Sequence, residues 1–368
     1  MSNDLYVTRP ALPDFDAYQR QLKGLWQSAT LTNNGALHQQ LESELAEFLG
    51  VPYISLFDNG TNALIAGLAA LDIQGEVITT PYSFVATSHA LLWNHLTPVF
   101  VDVDPTSGNL DAAQVEAAIT GNTSAILAVH CYGIPCDTRA LQTIAHRHQL
   151  KLFYDAAHAF AVRDPEGSIL RHGDLAALSF HATKVFNTCE GGALISHDPE
   201  MKRRIERIRN FGIVSEEEIS GTGFNGKMSE LHAGFGLALL PDMPRLLAQR
   251  ADIFSRYAEN LSELAGLELM SPAADITWNH AYAPLRVDEA CPVSRDALYD
   301  ALRQQGIHAR KYFHPLISSV PAYAGCAGAN ALPHAQQLAR QVLCLPIFPA
   351  MTNDEQKRVC DAIRAALI

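Results

Sequence analysis

At 368 residues the chain is long enough for one large domain with a sizeable core plus a smaller one, and 48% hydrophobic with 18% charged residues excludes a disordered or fibrous chain. A formal charge of −12 with no Lys/Arg-rich block argues against a nucleic-acid partner, whereas an anionic small substrate needs only a locally basic pocket. No apolar run approaches the roughly 20 residues of a membrane span, the start MSNDLYVTRPALPDFD lacks a basic segment followed by an apolar core, and seven scattered cysteines lack the paired spacing of a metal site, so the expectation is a cytoplasmic protein with reduced thiols and no metal.

Leu37, Leu41, Leu45 and Leu49 recur at helical spacing, and Gly50 stands where that helix would stop. Seven short apolar runs then alternate with helical stretches: YISLF, EVITT, PVFVDVD, SAILAVH, LKLFYDA, LAALSF and GALIS. Several are continuously apolar, as strands covered on both faces must be. The pattern predicts a large, mostly parallel, helix-flanked α/β sheet, in which ligands gather beyond the carboxyl ends of the strands. Near Pro241 and Pro244 a long polar helical stretch begins. The expected division is therefore 1–240, an N-terminal arm and large domain, and 241–368, a smaller α/β domain with APLRV as a strand, SRDALYDALRQQG as a helix, and a last helix opening at Thr352-Asn353-Asp354.

The residues following the strands carry the chemistry. Lys184 in SFHATKVFNTCEGGALIS lies just past a strand end, among small and polar residues. A loop lysine is ordinarily a solvated surface residue, but a desolvated one becomes a nucleophile toward carbonyls. Asp155 closes the apolar strand of FYDAAHA. Taken alone it reads as a turn or cap residue, yet a carboxylate is also what a pyridoxal ring nitrogen requires, because the protonated ring is the electron sink in transamination. Asn59-Gly60-Thr61 reads as a turn entering a helix whose free N–H groups would suit a phosphate, with hydroxyls available from Thr61 and Ser179. Phe84 could stack on a cofactor ring or belong to the core. His158 and His181 have no HxxxH or HExxH companions to make a metal site. Gly221 to Gly226 fits GxGxxG literally, but the preceding SEEEIS is no buried strand, so a flexible loop presenting Asn225 and Lys227 is expected instead.

On the motifs DNGTNAL, TPYSFVATSHALLWNHLTPVFVDVDP, YDAAHAF, SFHATKVFNTCEGGA and GFNGKMSELHAG, the chain resembles the DegT/StrS family of pyridoxal-phosphate-dependent sugar aminotransferases over nearly its whole length. The resemblance implies the type I, aspartate-aminotransferase fold with a seven-stranded sheet. It makes Lys184 the Schiff-base lysine and Asp155 the partner of the pyridine nitrogen. Gly60, Thr61 and Ser179 would hold the phosphate, Phe84 would cover the ring, and His158 would stand near the ring hydroxyl. It further implies a homodimer, with Asn225 reaching the neighbouring subunit's phosphate. Lys227 stands where the family often has Arg, which exchanges a bidentate fork for a point charge.

Within the family, LTNNGALHQQLE, SFHATKVFNT and GIHARKYFHPL are similar to enzymes acting on dTDP-linked 4-keto-6-deoxyhexoses. That implies ping-pong amination of dTDP-4-keto-6-deoxy-D-glucose at C-4 with L-glutamate as donor, in deoxyaminosugar and lipopolysaccharide O-antigen biosynthesis. Arg310, Tyr312 and His314 are the candidates for holding the sugar nucleotide; the bland reading has Tyr312 and His314 packing the small domain. The alternatives are C-3 amination of a dTDP-3-keto-6-deoxyhexose, a dehydratase, whose branch has histidine in place of Lys184, and a non-catalytic cofactor-binding regulator.

Overall fold

The computed structural model describes residues 4–368. Its strands in chain order are β1 (Leu5–Tyr6), β2 (Tyr53–Phe57), β3 (Glu76–Thr79), β4 (Thr97–Phe100), β5 (Thr123–Val129), β6 (Lys151–Asp155), the hairpin β7 and β8 (Arg163–Asp164 and Gly167–Ser168), β9 (Leu175–Ser179), β10 (Gly192–Ser196), β11 (Leu267–Leu269), β12 (Ala283–Val287), β13 (Ile307–His308) and β14 (Val342–Leu345). All seven apolar runs fall in one sheet of order β2-β10-β9-β6-β5-β3-β4. Its neighbours are parallel except β10, which runs antiparallel to both β2 and β9.

Successive strand residues point to opposite faces, and here both faces are covered. Leu56, Ile126 and Leu152 pack into a core shared with Leu41 and Leu45 of the helix Ala36–Leu49. Their neighbours Phe57, Leu127 and Phe153 pack with Leu64 and Leu68 of the helix Gly60–Leu71 and with Ile205. This double cover is why the strands read as unbroken apolar runs. PVFVDVD stops earliest of the runs, at Phe100. Asp102 is turned aside instead, buried, with its carboxylate accepting from the amides of His334 and Ala335 at the start of the helix Pro333–Gln341. An acidic side chain among a helix's unpaired first amides serves that helix better than it would serve a strand.

In the C-terminal third, APLRV forms β12, flanked antiparallel by β11 and β14. The polar helical stretch is the helix Met243–Leu261. SRDALYDALRQQG gives the helix Arg295–Gln304, capped by Ser294, and Thr352 with Glu355 forms a capping box at the start of the helix Asn353–Ala366. The amino-terminal β1 crosses to pair with β13. The segment 220–229 is loop, as its poor strand preface predicts. Among the described residues no helix is long and apolar enough to cross a membrane.

Candidate active site

A cavity of about 300 Å³ opens at the carboxyl rim of the large sheet, and Gly60, Thr61, Phe84, Asp155, His158, Ser179, Lys184 and Tyr312 all line it. Eight residues spread over more than two thirds of the chain thus meet in one chamber. Four of the singled-out residues do not. Asn225 is exposed on the loop. Lys227 donates to Asn210 Oδ1 at 2.8 Å and lines a separate groove with Arg203 and Arg207. Arg310 is exposed, its guanidinium 5.2 Å from the centre of the Tyr312 ring, and His314 faces another groove beside Pro315 and Leu316.

Lys184 sits in a tight turn after β9, where its amide donates to the His181 carbonyl at 2.8 Å. Burial is the main influence on its amine and lowers its pKa from 10.5 to about 8, against the opposing charge of Asp155. Among the described residues Nζ has no hydrogen-bond or ion-pair partner, which leaves its lone pair free once the proton is lost.

Asp155 ends β6 and is buried. Its Oδ2 accepts from Thr87 Oγ1 at 2.7 Å, and its Oδ1 from the Ala157 amide at 3.1 Å. Burial pushes its pKa up, while Thr87, the Ala157 amide and Lys184 work in the opposite direction. His158 is held by the Tyr132 amide, which donates to Nδ1 at 3.2 Å. The ring proton therefore belongs on Nε2. Burial first, then the Lys184 charge, keeps this histidine well below its ordinary pKa and so neutral.

The fourth component is the turn before the helix Gly60–Leu71. Asn59 caps it by accepting from the Asn62 amide at 2.8 Å. The Gly60 and Thr61 amides have no partner among the described residues, so two donors and the positive end of the helix dipole face the cavity. The turn can lie there only because side chains are absent at two places. A Cβ on Gly60 would come 2.8 Å from Ser179 Cβ, and one on Gly192, the β10 residue paired with Ser179, would come 2.6 Å from the Asn59 carbonyl carbon.

Sequence reasoning missed Thr87 and Tyr282 and assigned no role to Ser83, one of the polar residues after EVITT. Ser83 and Thr87 are one helical turn apart at the entry to the helix Ala86–Trp93, a spacing that could have flagged them. Tyr282 packs edge-on against His158, with ring centres 4.9 Å apart, and comes from so far along the chain that no local signal announces it.

The match to the DegT/DnrJ/EryC1/StrS aminotransferase family spans residues 15–364. The chain belongs to that family. It is 48% identical over 364 residues to the dTDP-4-amino-4,6-dideoxy-D-glucose transaminase of Shigella dysenteriae, covering 99% of each chain. Among solved structures, DesI in the presence of its TDP-sugar product matches with a TM-score of 0.95 at 36% identity, over 100% of this chain and 94% of that one. NtdA of Bacillus subtilis with bound cofactor PMP matches with a TM-score of 0.85 at 28% identity, over 96% and 81%. The type I fold and a pyridoxal-phosphate-dependent aminotransferase follow.

The chamber fits that cofactor on its own chemistry. Two free amides beside the Ser179 and Thr61 hydroxyls suit a phosphate dianion. A buried carboxylate held by two neutral donors suits a protonated ring nitrogen, and an unpartnered, desolvated amine suits a carbonyl carbon.

Proposed function

We propose that this aminotransferase converts dTDP-4-keto-6-deoxy-D-glucose to dTDP-4-amino-4,6-dideoxy-D-glucose with L-glutamate as amino donor, acting in the cytoplasm within O-antigen deoxyaminosugar synthesis. The near full-length likeness to the Shigella enzyme carries the substrate assignment. We read residues 1–240 as the cofactor domain and 241–368 as the smaller one. We take the working form to be a homodimer in which Asn225 of each copy reaches the other's cofactor phosphate, and we assign Lys227 to substrate binding.

Pyridoxal phosphate, when bound, supplies an electrophilic carbon and a ring that withdraws electrons from the carbon losing its proton. Gly60, Thr61 and Ser179 anchor its phosphate, and Asp155 accepts from its ring nitrogen. His158 offers Nε2–H as a neutral donor near the ring hydroxyl, and Phe84, which is 59% exposed at the mouth, covers one face. Lys184 Nζ is the group that would hold the cofactor's carbonyl carbon. With its amine free, Lys184 would take the proton from Cα of L-glutamate and, in the second half-reaction, deliver a proton to C-4 of the sugar. An amine with a pKa of about 8 does both near neutrality, because each protonation state is accessible. Arg310, with Tyr312 beneath it, and His314 are assigned to the nucleotide end of the substrate.

The deciding experiment incubates the protein with L-glutamate and dTDP-4-keto-6-deoxy-D-glucose and reads the product by NMR. A C-4 amine is expected, and a C-3 amine overturns the assignment. Lys184→Ala should lower turnover by on the order of 10⁴-fold or more; a variant within tenfold of the parent removes Lys184 from the mechanism.

A further inference from the structure

Thr87 lies outside the cavity wall, is wholly buried, and spends its hydroxyl proton on Asp155 Oδ2. A threonine in a helix ordinarily turns its hydroxyl back on a preceding carbonyl or caps a free amide. Here neither happens. Ser83 Oγ lies 2.8 Å from Thr87 Oγ1. Because Thr87 has one proton and that proton faces the carboxylate, Ser83 must be the donor of this second bond. The chain is therefore directional, from Ser83 to Thr87 to Asp155, and each link polarises the next. Both side chains are buried, Thr87 completely.

We propose that Thr87 is a positioning residue for the cofactor ring: through the Ser83–Thr87 hydroxyl chain it keeps the Asp155 carboxylate ionised and fixed in one orientation, free to accept from the protonated ring nitrogen. A buried carboxylate tends to take up a proton and become neutral, and a neutral Asp155 would carry its own proton where it has to accept one. The charge of Lys184 is no constant remedy, since that amine releases and regains a proton in every turnover. The hydroxyl chain and the Ala157 amide are neutral and permanent. Thr87 also stands in the first turn of the helix Ala86–Trp93, whose positive dipole end adds to the field on the carboxylate.

This rests on the assignment of Asp155 to the ring nitrogen, and the test separates the two. Apoenzyme of the full chain is titrated with pyridoxal 5′-phosphate and with its 1-deaza analogue, which has a C–H in place of the ring nitrogen and so has no use for Asp155. Thr87→Val, which keeps the shape and removes the donor, should weaken pyridoxal phosphate binding by about tenfold or more while leaving the deaza analogue within about twofold; Thr87→Ser should restore the parent preference. Equal losses for both compounds, or none for either, overturn the proposal, the first outcome marking Thr87 as packing alone. If Thr87→Val does not fold, Ser83→Ala carries the same comparison, with a smaller selective loss expected and an unselective or absent loss overturning the idea. Asp155→Ala run alongside should show the largest selective loss. Failure there withdraws the ring-nitrogen assignment, whereas success there with an unselective Thr87→Val withdraws only the hydroxyl chain.

Discussion

The rim of the large sheet and the loop Phe211 to Lys227 present similar polar side chains in opposite circumstances. At the rim, Asp155, Lys184 and the Gly60-Thr61 turn are set by strand and helix ends and are buried or half-buried in one chamber. Along the loop, Asn225 is exposed and Phe211, Ile213, Val214 and Ile219 stand 47, 39, 41 and 69% open. The first group has its chemistry assembled within one chain. The second is anchored at its base, where the Asp58 amide donates to the Gly226 carbonyl at 2.9 Å just beyond β2, and its Ile213, Val214 and Lys227 line a groove apart from that chamber. Residues placed by regular elements can serve the chain that carries them, whereas residues exposed on such a loop are open to a surface supplied from outside.

The comparison breaks most sharply at Gly60. Valine there must push against Ser179 Cβ, 2.8 Å from where its own Cβ would stand, and the turn proposed to hold the phosphate has no slack because Gly192 lies against it from the other side. We expect a loss of about 100-fold in pyridoxal phosphate affinity, with ~1–3 kcal/mol of destabilisation from overpacking. Gly121→Val is the control, since nothing lies within 4 Å of a Cβ at that position. Equal cofactor affinities for the two variants, by fluorescence titration, would mean the rim is not rigid.

A second test uses the burial of Lys184. An amine with a pKa lowered to about 8 loses its proton at a pH where an ordinary lysine, near 10.5, is still charged. Only the neutral amine attacks a carbonyl. The rate at which apoprotein captures pyridoxal phosphate should therefore rise about tenfold from pH 7 toward pH 9 and then level off. A rate still climbing nearly in proportion to hydroxide between pH 9 and pH 10, followed by stopped-flow absorbance, would mean that Lys184 is solvated like a surface lysine.

These contrasts also explain what the sequence could reveal. Strands such as LKLFYDA were legible because both faces are buried and Leu152, Phe153 and Tyr154 form an unbroken apolar run, and Asp155 was legible because it is the polar residue on which that run ends. The direction of β10 was not, since GALIS is equally apolar read either way and its antiparallel course depends on the turn that carries Lys184. Thr87 looked like one more residue of an apolar helix, because the partner that gives it meaning is 68 residues away. Tyr282 and the Asn279 side chain, which donates to the His158 and Phe160 carbonyls at 2.8 Å, are further cases in which a distant segment supports the site. The family resemblance supplied roles for Asn225 and Lys227 that no reading of one chain's periodicity contains.

The smallest expected effect is also the one that bears most directly on the loop. Lys227 already spends a hydrogen bond on Asn210, and its ammonium lies 5.0 Å from the centre of the Phe211 ring, so Lys227→Met removes one partly solvated charge. Such a charge contributes on the order of 1 kcal/mol or less, which corresponds to about fivefold in kcat/KM. Adding Asn225→Ala should deepen the loss without altering the cofactor's attachment to Lys184, because neither residue lines the chamber that holds Lys184. If they act across a dimer, mixing and reassociating this double variant with Lys184→Ala produces heterodimers with one intact site, built from the unmodified lysine of one copy and the unmodified loop of the other. Activity in the mixture should then exceed the average of the two parents, read by sugar-amine formation. A mixture that does no better than that average would place Asn225 and Lys227 at the service of their own chain.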